Sequence, residues 1–278
     1  MLKSSQLHPV PSPVIHLGRR KWSAFRICAY VGLVAGAALS LGLAAHFNMP
    51  LAPMILIVFV TVLTFVLVIQ LTRIVGVQQL VFYRHFVIVM GVISILLWLL
   101  GRPILVYLDL TVLGISAFVA CGRIGCLMVG CCHGRPSSIG ICYREPQVTA
   151  AFPAQFLGVR LFPIQAVESL WLVFIVIGGC YQIWSKHTPG TAVWWFIAAY
   201  CPARFVLEFA RWRSGQSYFW GLSEAQWTSL LLVGLLVIAE LVGTLPFSLS
   251  HLLIVVALVA ITIVVVGSHG LRRRPQRS

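Results

Sequence analysis

The chain alternates between long apolar runs and short polar or basic segments. A helix needs about 20 apolar residues to cross the hydrocarbon core of a bilayer, so each run predicts a transmembrane helix. The runs lack the alternation of membrane β-strands, and a spanning helix satisfies its own backbone hydrogen bonds. The pattern therefore predicts an all-α, polytopic transmembrane helical bundle of seven or eight spans. The runs cover residues 25–47, 51–72, 80–100, 104–122, 163–184, 190–210, 226–243 and 250–267.

The polar segments predict one membrane domain with a basic segment at each end. Residues 1–24 are basic, and the apolar stretch after them is too long for a secretory signal and lacks a convincing cleavage site, so we expect a retained anchor. Residues 25–267 form the single transmembrane domain, and residues 268–278 form a basic tail. A small loop or cap is expected at 123–162, between the fourth and fifth spans, with a β-prone run at 139–143.

Composition narrows the choice of partners. With 60% hydrophobic and 9% charged residues, the chain does not fit a soluble domain. The formal charge of +14 is not arranged as a basic stripe with interleaved aromatics, so no nucleic acid partner is expected. Only three of the 20 basic residues are lysines. Arginine binds phosphate in a bidentate manner, so the charge indicates contact with anionic lipid in the bilayer.

The segment from Cys121 to Pro136 combines glycines with a charge at membrane depth. It reads CGRIGCLMVGCCHGRP and contains four glycines. Glycine permits backbone angles that other residues avoid, and irregular backbone at membrane depth survives only inside protein or beside a wet cavity. We therefore expect a polar cavity that contains Arg123, because arginine in a membrane span indicates function. The alternative is that Arg123 pairs with a carboxylate or extends outward to the membrane surface.

Two later segments also place charges in apolar surroundings. The fifth apolar run puts Gln165 and Glu168 on one helix face. Arg204, Glu208 and Arg211 have helical spacing and predict a single polar stripe that faces protein or water. The alternative is an internal salt bridge between Arg204 and Glu208. The third charge, Arg211, gives this group an excess positive charge.

Four motifs occur in order along the chain. They are Gly122–Arg135 (GRIGxxxxGxxxGR), Pro163–Glu168 (PxQxxE), Ala203–Arg211 (ARFxxEFxR) and Gly221–Trp227 (GLSxxQW). In this order and at these spacings the sequence resembles the prolipoprotein diacylglyceryl transferase family over roughly residues 80–240.

The resemblance implies a multi-pass enzyme of the bacterial cytoplasmic (inner) membrane. Members transfer the diacylglyceryl group of phosphatidylglycerol to the lipobox cysteine thiol of prolipoproteins, so phosphatidylglycerol and prolipoprotein signal peptides are the expected partners, and no cofactor is expected. By family position, Arg123 and Arg204 hold the phosphate and Glu208 orients Arg204. The resemblance also implies that four further residues contribute to substrate binding: Arg135, Gln165, Glu168 and Arg211.

The sequence departs from the family at three positions. Arg84 and His85 stand where members usually have a glycine pair, and Cys126 replaces a common asparagine. His85 is a candidate for the catalytic base that removes the thiol proton, because imidazole accepts a proton near neutral pH. The alternative is that the two bulky side chains close the lipid groove. The chain would then be a catalytically silent relative that binds phospholipid or prolipoprotein.

The cysteines and the orientation leave further alternatives. Five loop residues could in principle bind zinc: Cys126, Cys131, Cys132, His133 and Cys142. They lack paired Cys-x-x-Cys knuckles, so no metal site is predicted. A disulfide from Cys131 or Cys132 to Cys142 is an option in an oxidising compartment. A transporter or thiol redox protein is a third functional class, which predicts metal or disulfide dependence. The basic ends favour two cytoplasmic termini, whereas family members have an external N terminus, so orientation stays open.

Overall fold

The computed structural model describes residues 13–17, 20–74, 82–144, 152–186, 188–212, 218–243 and 249–273. Within these ranges the chain forms eight α-helices, and each predicted apolar run coincides with one of them, which confirms the all-α helical membrane class. The helices are α1 (Ala24–His46), α2 (Leu51–Ile74), α3 (Phe82–Leu99), α4 (Ile104–Val129), α5 (Ile164–Lys186), α6 (Thr191–Ala210), α7 (Glu224–Leu241) and α8 (Leu249–Arg273). Residues 1–12, 18 and 19 of the basic N-terminal segment, 145–151 of the loop and 274–278 of the tail lie outside the described residues.

Short strands accompany the helices. They pair as three antiparallel two-stranded units, β1 with β2, β3 with β4, and β5 with β6. Their bounds are β1 (Val14–Leu17), β2 (Arg20–Ser23), β3 (Pro136–Cys142), β4 (Arg160–Leu161), β5 (Tyr218–Phe219) and β6 (Leu222–Ser223).

Six of the described helices are long and apolar enough to cross a bilayer, namely α1, α2, α4, α5, α6 and α7. The remaining two, α3 and α8, contribute shorter apolar stretches, Tyr83–Leu99 and His251–Gly267. The chain is therefore a multi-pass membrane protein. The expectation of seven or eight spans stays a prediction, because it depends on whether these two shorter helices cross.

Helix α4 is longer than its apolar pattern predicted. The predicted span ended at residue 122, whereas the helix continues to Val129. A Cβ atom at Gly125 would lie 3.0 Å from both Phe25 Cα and Cys28 Cβ of α1, so this glycine permits close helix packing and does not interrupt the helix. The irregular backbone begins at Gly130, whose φ is +75°. The predicted loop therefore starts later than residue 123.

The described residues divide into two compact units. The first lies within Met1–Met49, Leu110–Tyr181 and Phe209–Trp212, and the second within Pro50–Asp109, Gln182–Glu208 and Arg213–Ser278. Each unit is described by itself below.

In the first unit, α1 packs against α4 through small residues. A Cβ at Gly36 would lie 2.4 Å from the carbonyl oxygen of Gly114, and a Cβ at Gly114 would lie 2.1 Å from Ser40 Oγ. Ser40 Oγ also donates a hydrogen bond of 3.0 Å to the Leu110 carbonyl. Small side chains let helix backbones approach closely where no hydrophobic effect drives association. The buried face of α1 is accordingly built from Ala24, Gly32, Gly36, Ser40 and Ala44.

The first unit also contains a small cap between α4 and α5. Its β3 strand covers residues 139–142 of the predicted β-prone run and pairs with β4. A compact apolar core of Tyr143, Phe152, Phe156 and Leu161 lies beside this pair, with Trp212 packed against it. Tyr143 Oη donates a hydrogen bond of 2.8 Å to the Leu127 carbonyl. That bond satisfies a carbonyl in the last turn of α4, which has no partner within the helix.

In the second unit, polar side chains fix helix ends. The Asp109 carboxylate accepts hydrogen bonds from the backbone N–H of Gly190, at 2.7 Å, and of Val193, at 3.0 Å, at the start of α6. A carboxylate there satisfies amides that lack a partner within the helix and complements the helix dipole. Further along the chain, the His251 ring of α8 forms a hydrogen bond with the Glu240 carboxyl group of α7.

Candidate active site

Three buried charges meet in the first unit. Arg123 Nη2 lies 2.9 Å from Glu168 Oε1, and Arg211 Nη2 lies 3.4 Å from Glu168 Oε2. The Glu168 side chain is fully buried, and those of Arg123 and Arg211 are 10% and 8% exposed. One carboxylate therefore joins two guanidinium groups, an arrangement we call the arginine–glutamate cluster. It also realises the alternative in which Arg123 pairs with a carboxylate.

Each member of the arginine–glutamate cluster comes from a different segment. Arg123 lies on the part of α4 beyond its predicted end, and Glu168 lies in the second turn of α5. Arg211 follows α6, which ends at Ala210. The three segments are thus distant in sequence, and the fold of the first unit brings them together.

The predicted polar stripe on one helix is wrong at Arg211. This residue forms an isolated antiparallel bridge with Gly134 and does not continue the helix. The Arg135 amide donates to the Ala210 carbonyl at 2.9 Å, and the Trp212 amide donates to the His133 carbonyl at 3.1 Å. These backbone bonds hold the chain at Arg211 in an extended conformation beside residues 133–135. The contact of Arg211 with Glu168 therefore depends on tertiary structure and could not be predicted from helical spacing.

The cluster places two buried guanidinium groups beside one carboxylate, which holds them in position. Guanidinium groups form strong, charge-assisted hydrogen bonds with phosphate oxygens. The arrangement is therefore suited to holding a phosphate ester.

Gln165 links α5 to the glycine-rich segment. Its Nε2 donates a hydrogen bond of 2.7 Å to the Cys131 carbonyl, and the amide side chain is almost fully buried. One turn further, Ser169 Oγ donates 2.8 Å to the Ala120 carbonyl of α4. Gln165 and Glu168 therefore both point from α5 toward the site. Gln165 positions the backbone at Cys131, and Glu168 contacts the two arginines.

Arg135 is exposed and lies at the edge of this group. Its Nε donates to the Arg211 carbonyl at 3.4 Å, and the Phe162 amide donates to the Arg135 carbonyl at 3.0 Å. These bonds support the backbone that carries Arg211. The role of Arg135 in substrate binding stays a prediction.

Arg204 and Glu208 belong to the second unit. They form a buried ion pair four residues apart on α6, as the alternative of an internal salt bridge expected. The Gln226 side chain of α7 donates to the Phe205 carbonyl at 3.3 Å on the same helix. Glu208 therefore contacts Arg204 in the manner required to orient it, while the role of Arg204 in holding phosphate stays a prediction.

The two residues that replace the glycine pair also lie in the second unit. His85 is buried on α3, with its ring centroid 5.2 Å from that of Phe65. Arg84 Nε lies 3.8 Å from Glu224 Oε1 at the start of α7. His85 as catalytic base stays a prediction.

The motif from Gly221 to Trp227 forms the N-terminus of α7. Ser223 and Gln226 form a capping box: the Ser223 side chain accepts from the Gln226 amide, and the Gln226 side chain accepts from the Ser223 amide. The turn before it has positive φ at Trp220 and Gly221. Ser-x-x-Gln is a recognised capping signature, so the sequence contained the signal for this role.

Three of the cysteines that the sequence offered as possible zinc ligands, without predicting a metal site, lie close together. The Sγ atoms of Cys126, Cys131 and Cys132 all lie within 4.8 Å of one another. All eight cysteines fall in the described ranges and are free, so the disulfide considered for Cys142 is not formed. The only sequence signal is three cysteines within seven positions, which does not resemble a zinc knuckle.

The pKa values of Cys131 and Cys132 are shifted in opposite directions. Hydrogen bonds with Cys126 and Cys131, and then the positive charges of Arg211 and Arg123, hold the pKa of Cys132 well below its usual value. Hydrogen bonds with the other two thiols, together with burial, raise the pKa of Cys131. The arginine–glutamate cluster therefore acts electrostatically on the thiol group.

Comparison with known proteins identifies relatives. A sequence model described as prolipoprotein diacylglyceryl transferase matches residues 15–242. A phosphatidylglycerol–prolipoprotein diacylglyceryl transferase of Dehalococcoides mccartyi strain 195 is 30% identical over 132 residues, 47% of this chain and 48% of the relative. A protein of Clostridium perfringens strain 13, named phosphatidylglycerol–prolipoprotein diacylglyceryl transferase 2, is 33% identical over 108 residues, 37% of this chain and 39% of the relative. The chain thus spans about half the length of these curated relatives, or less.

Proposed function

We propose a group-transfer reaction for this chain, which belongs to the prolipoprotein diacylglyceryl transferase family. The chain transfers the diacylglyceryl group of phosphatidylglycerol to the lipobox cysteine thiol of prolipoproteins. The names of its relatives support this activity, and its apolar helices fit an enzyme whose substrates lie in a bilayer. The same relationship supports a location in the bacterial cytoplasmic membrane.

The single observation that carries the proposal is the arginine–glutamate cluster. In the reaction, the cysteine sulfur forms a bond to the terminal glycerol carbon, and the bond from that carbon to the phosphate oxygen breaks. The electron pair leaves with glycerol phosphate, and the thiol proton is released. Preorganised positive charge beside a leaving phosphate stabilises the charge that develops in the transition state. Arg123 and Arg211 supply such charge, held in place by Glu168.

The other predicted residues have supporting roles in this proposal. Glu208 holds the Arg204 side chain on α6, and a role of Arg204 in binding phosphate remains a prediction. Gln165 keeps the glycine-rich segment against α5 through the Cys131 carbonyl. Arg135 supports the Arg211 backbone and lies where a lipid headgroup can approach, because its side chain is exposed.

Complementation tests the function. A strain depleted of its own diacylglyceryl transferase should grow when it produces this chain. Arg123→Ala and Arg211→Ala should abolish growth, since loss of one transition-state donor costs about 100-fold or more in rate. Arg73→Ala is the matched control, because Arg73 is exposed and bonds Gln70 on its own helix, and it should support growth.

Membrane fractions decide how a failure is interpreted. If the native chain is present in the membrane and growth is absent, the proposed activity is wrong. Binding of phosphatidylglycerol vesicles by that inactive chain would then assign it to the catalytically silent relatives. Growth that persists in both arginine variants would contradict the role of the cluster.

A further inference from the structure

The three-thiol group has the geometry of a metal site. In a tetrahedral zinc site with Zn–S bonds of about 2.3 Å, the sulfur atoms lie about 3.8 Å apart. The Sγ atoms of Cys126, Cys131 and Cys132 already lie within 4.8 Å of one another. Side-chain movements of about 1 Å therefore bring all three to bonding distance of one ion.

The backbone holds this group in place. Gly130 and Cys132 both have positive φ, +75° and +55°, which is uncommon for a cysteine. The resulting tight turn carries Cys131 and Cys132 back toward Cys126 on the last part of α4. Gln165 fixes the turn by donating to the Cys131 carbonyl at 2.7 Å. The ligand atoms are thus presented by a short segment anchored to α5.

The number of ligands and the local charge agree with one class of ion. Catalytic zinc sites have three protein ligands and an open fourth position, whereas structural sites use four. Cys126 is buried, Cys131 is half-buried and Cys132 is exposed, so one side of the group is accessible. A Zn²⁺ ion bound by three thiolates has a net negative charge. Arg123 lies three residues before Cys126 on α4, on the same helix face, so positive charge stands near the group.

We propose that Cys126, Cys131 and Cys132 bind Zn²⁺ and leave a fourth coordination position for the thiolate of the acceptor cysteine. The part of this proposal that concerns the acceptor rests on the proposed transferase function. On coordination the acceptor thiol releases its proton to water, because a zinc-bound thiol is deprotonated. Its sulfur then forms the bond to the glycerol carbon, and the carbon–oxygen electron pair leaves with glycerol phosphate. The site supplies the deprotonation for which His85 is the alternative candidate.

Metal content and spectroscopy test the site. The purified full-length chain in detergent, kept reduced, should contain one zinc ion per chain. After chelation it should bind Co²⁺ with a thiolate-to-cobalt charge-transfer band. Cys126→Ser, Cys131→Ser and Cys132→Ser should each weaken binding by more than about 100-fold, since loss of even a supporting residue costs 10–100-fold.

The matched control is Cys180→Ser on α5, outside the three-thiol group, which should bind like the native chain. Circular dichroism and thermal unfolding of each variant separate loss of a ligand from loss of fold. If the folded, reduced native chain takes up neither zinc nor cobalt, the proposal is overturned. A disulfide within the group in protein purified without reductant from intact membranes, with no metal uptake after reduction, has the same consequence.

A peptide titration tests the fourth position separately from activity. A lipobox peptide with cysteine should intensify the charge-transfer band of the cobalt-loaded chain, and the same peptide with serine should not. Equal spectra with both peptides overturn the assignment of the open position.

If the cysteine peptide binds the cobalt while the zinc-loaded chain transfers no diacylglyceryl group, the metal site stands and the proposed transferase function fails. If the chelated chain transfers at the native rate and His85→Gln loses an ionisation from its pH profile, proton removal belongs to His85 and the proposal is overturned.

Discussion

At the scale of single residues, Glu168 is held between two arginines in the first unit. Its carboxylate is fully buried and contacts Arg123 and Arg211 through separate oxygens. A buried ion pair is weak evidence for stability, because apolar residues of similar volume often stabilise as well or better. A buried charge within an apolar helix is therefore better explained by a role in the site than by stability.

Removing the Glu168 charge should destabilise the protein. In Glu168→Gln two buried guanidinium groups lose their shared carboxylate. Breaking a buried pair in this way costs about 3 kcal/mol or more in the free energy of unfolding. Thermal and denaturant unfolding of the purified variant in detergent measures the change.

The control for this prediction is Glu224→Gln. The Arg84–Glu224 pair is longer, at 3.8 Å, and its side chains are 29% and 44% exposed. Exposed pairs contribute little, so this variant should unfold almost like the native chain. An equal loss of stability in both variants would show that burial of the Glu168 cluster is not the cause.

At the scale of secondary-structure elements, α1 and α4 depend on glycine for their close approach. The backbone carbonyl of Gly114 stands where a side chain at position 36 would begin. Gly125 has a comparable role further along the same interface, against Phe25 and Cys28. The apolar pattern ended α4 early because sequence alone does not distinguish a glycine that bends a helix from one that admits a neighbouring helix.

Gly36→Leu should separate the two helices. The Gly114 carbonyl oxygen lies 2.4 Å from the position that the new Cβ would occupy, and it belongs to backbone, which cannot move aside. We expect a loss of about 1–3 kcal/mol in the free energy of unfolding, since overpacking of a close interface is costly. Gly42→Leu on the same helix has nothing within 4 Å and should change stability by less than about 0.5 kcal/mol. If both variants unfold alike, the close α1–α4 contact is not important for stability.

The start of α7 offers a second test at this scale. Ser223→Ala removes the side chain that accepts from the Gln226 amide, and should lower the free energy of unfolding by about 1 kcal/mol. Thr228→Ala, later in α7, removes a hydroxyl that only bonds the Glu224 carbonyl of its own helix, and should have a smaller effect. Parallel thermal unfolding curves compare the two, and a larger effect of Thr228→Ala would argue against the cap.

At the scale of the whole molecule, sequence reasoning predicted the helices better than the site. Apolar length alone located all eight described helices, because a bilayer requires a nearly fixed number of apolar residues. The sequence also predicted that Gln165 and Glu168 share one helix face. A carboxylate partner for Arg123 was one of the two alternatives that it left open. Sequence reasoning did not bring Arg211 to Glu168 or the three thiols together. Arg211 lies in an extended segment after α6, and the thiols meet through the turn at Gly130–Cys132.

The number of spans determines the positions of the chain ends. If α3 and α8 cross the membrane with the other six helices, both ends lie on one side, and the basic segments place that side in the cytoplasm. Green fluorescent protein fused after Ser278 should then fluoresce, while alkaline phosphatase at the same position should be inactive. The opposite pair of results would indicate an odd number of spans or the reverse orientation.

Direct assay of the transfer reaction tests the central claim. The purified chain, phosphatidylglycerol vesicles and a lipobox peptide are incubated, and mass spectrometry follows the peptide. The account predicts a diacylglyceryl thioether on the cysteine peptide, none on the serine peptide, and at least about a 100-fold slower reaction with Arg123→Ala or Arg211→Ala than with Arg73→Ala. A folded, metal-loaded native chain that leaves the cysteine peptide unmodified, or arginine variants that react at the native rate, would contradict it.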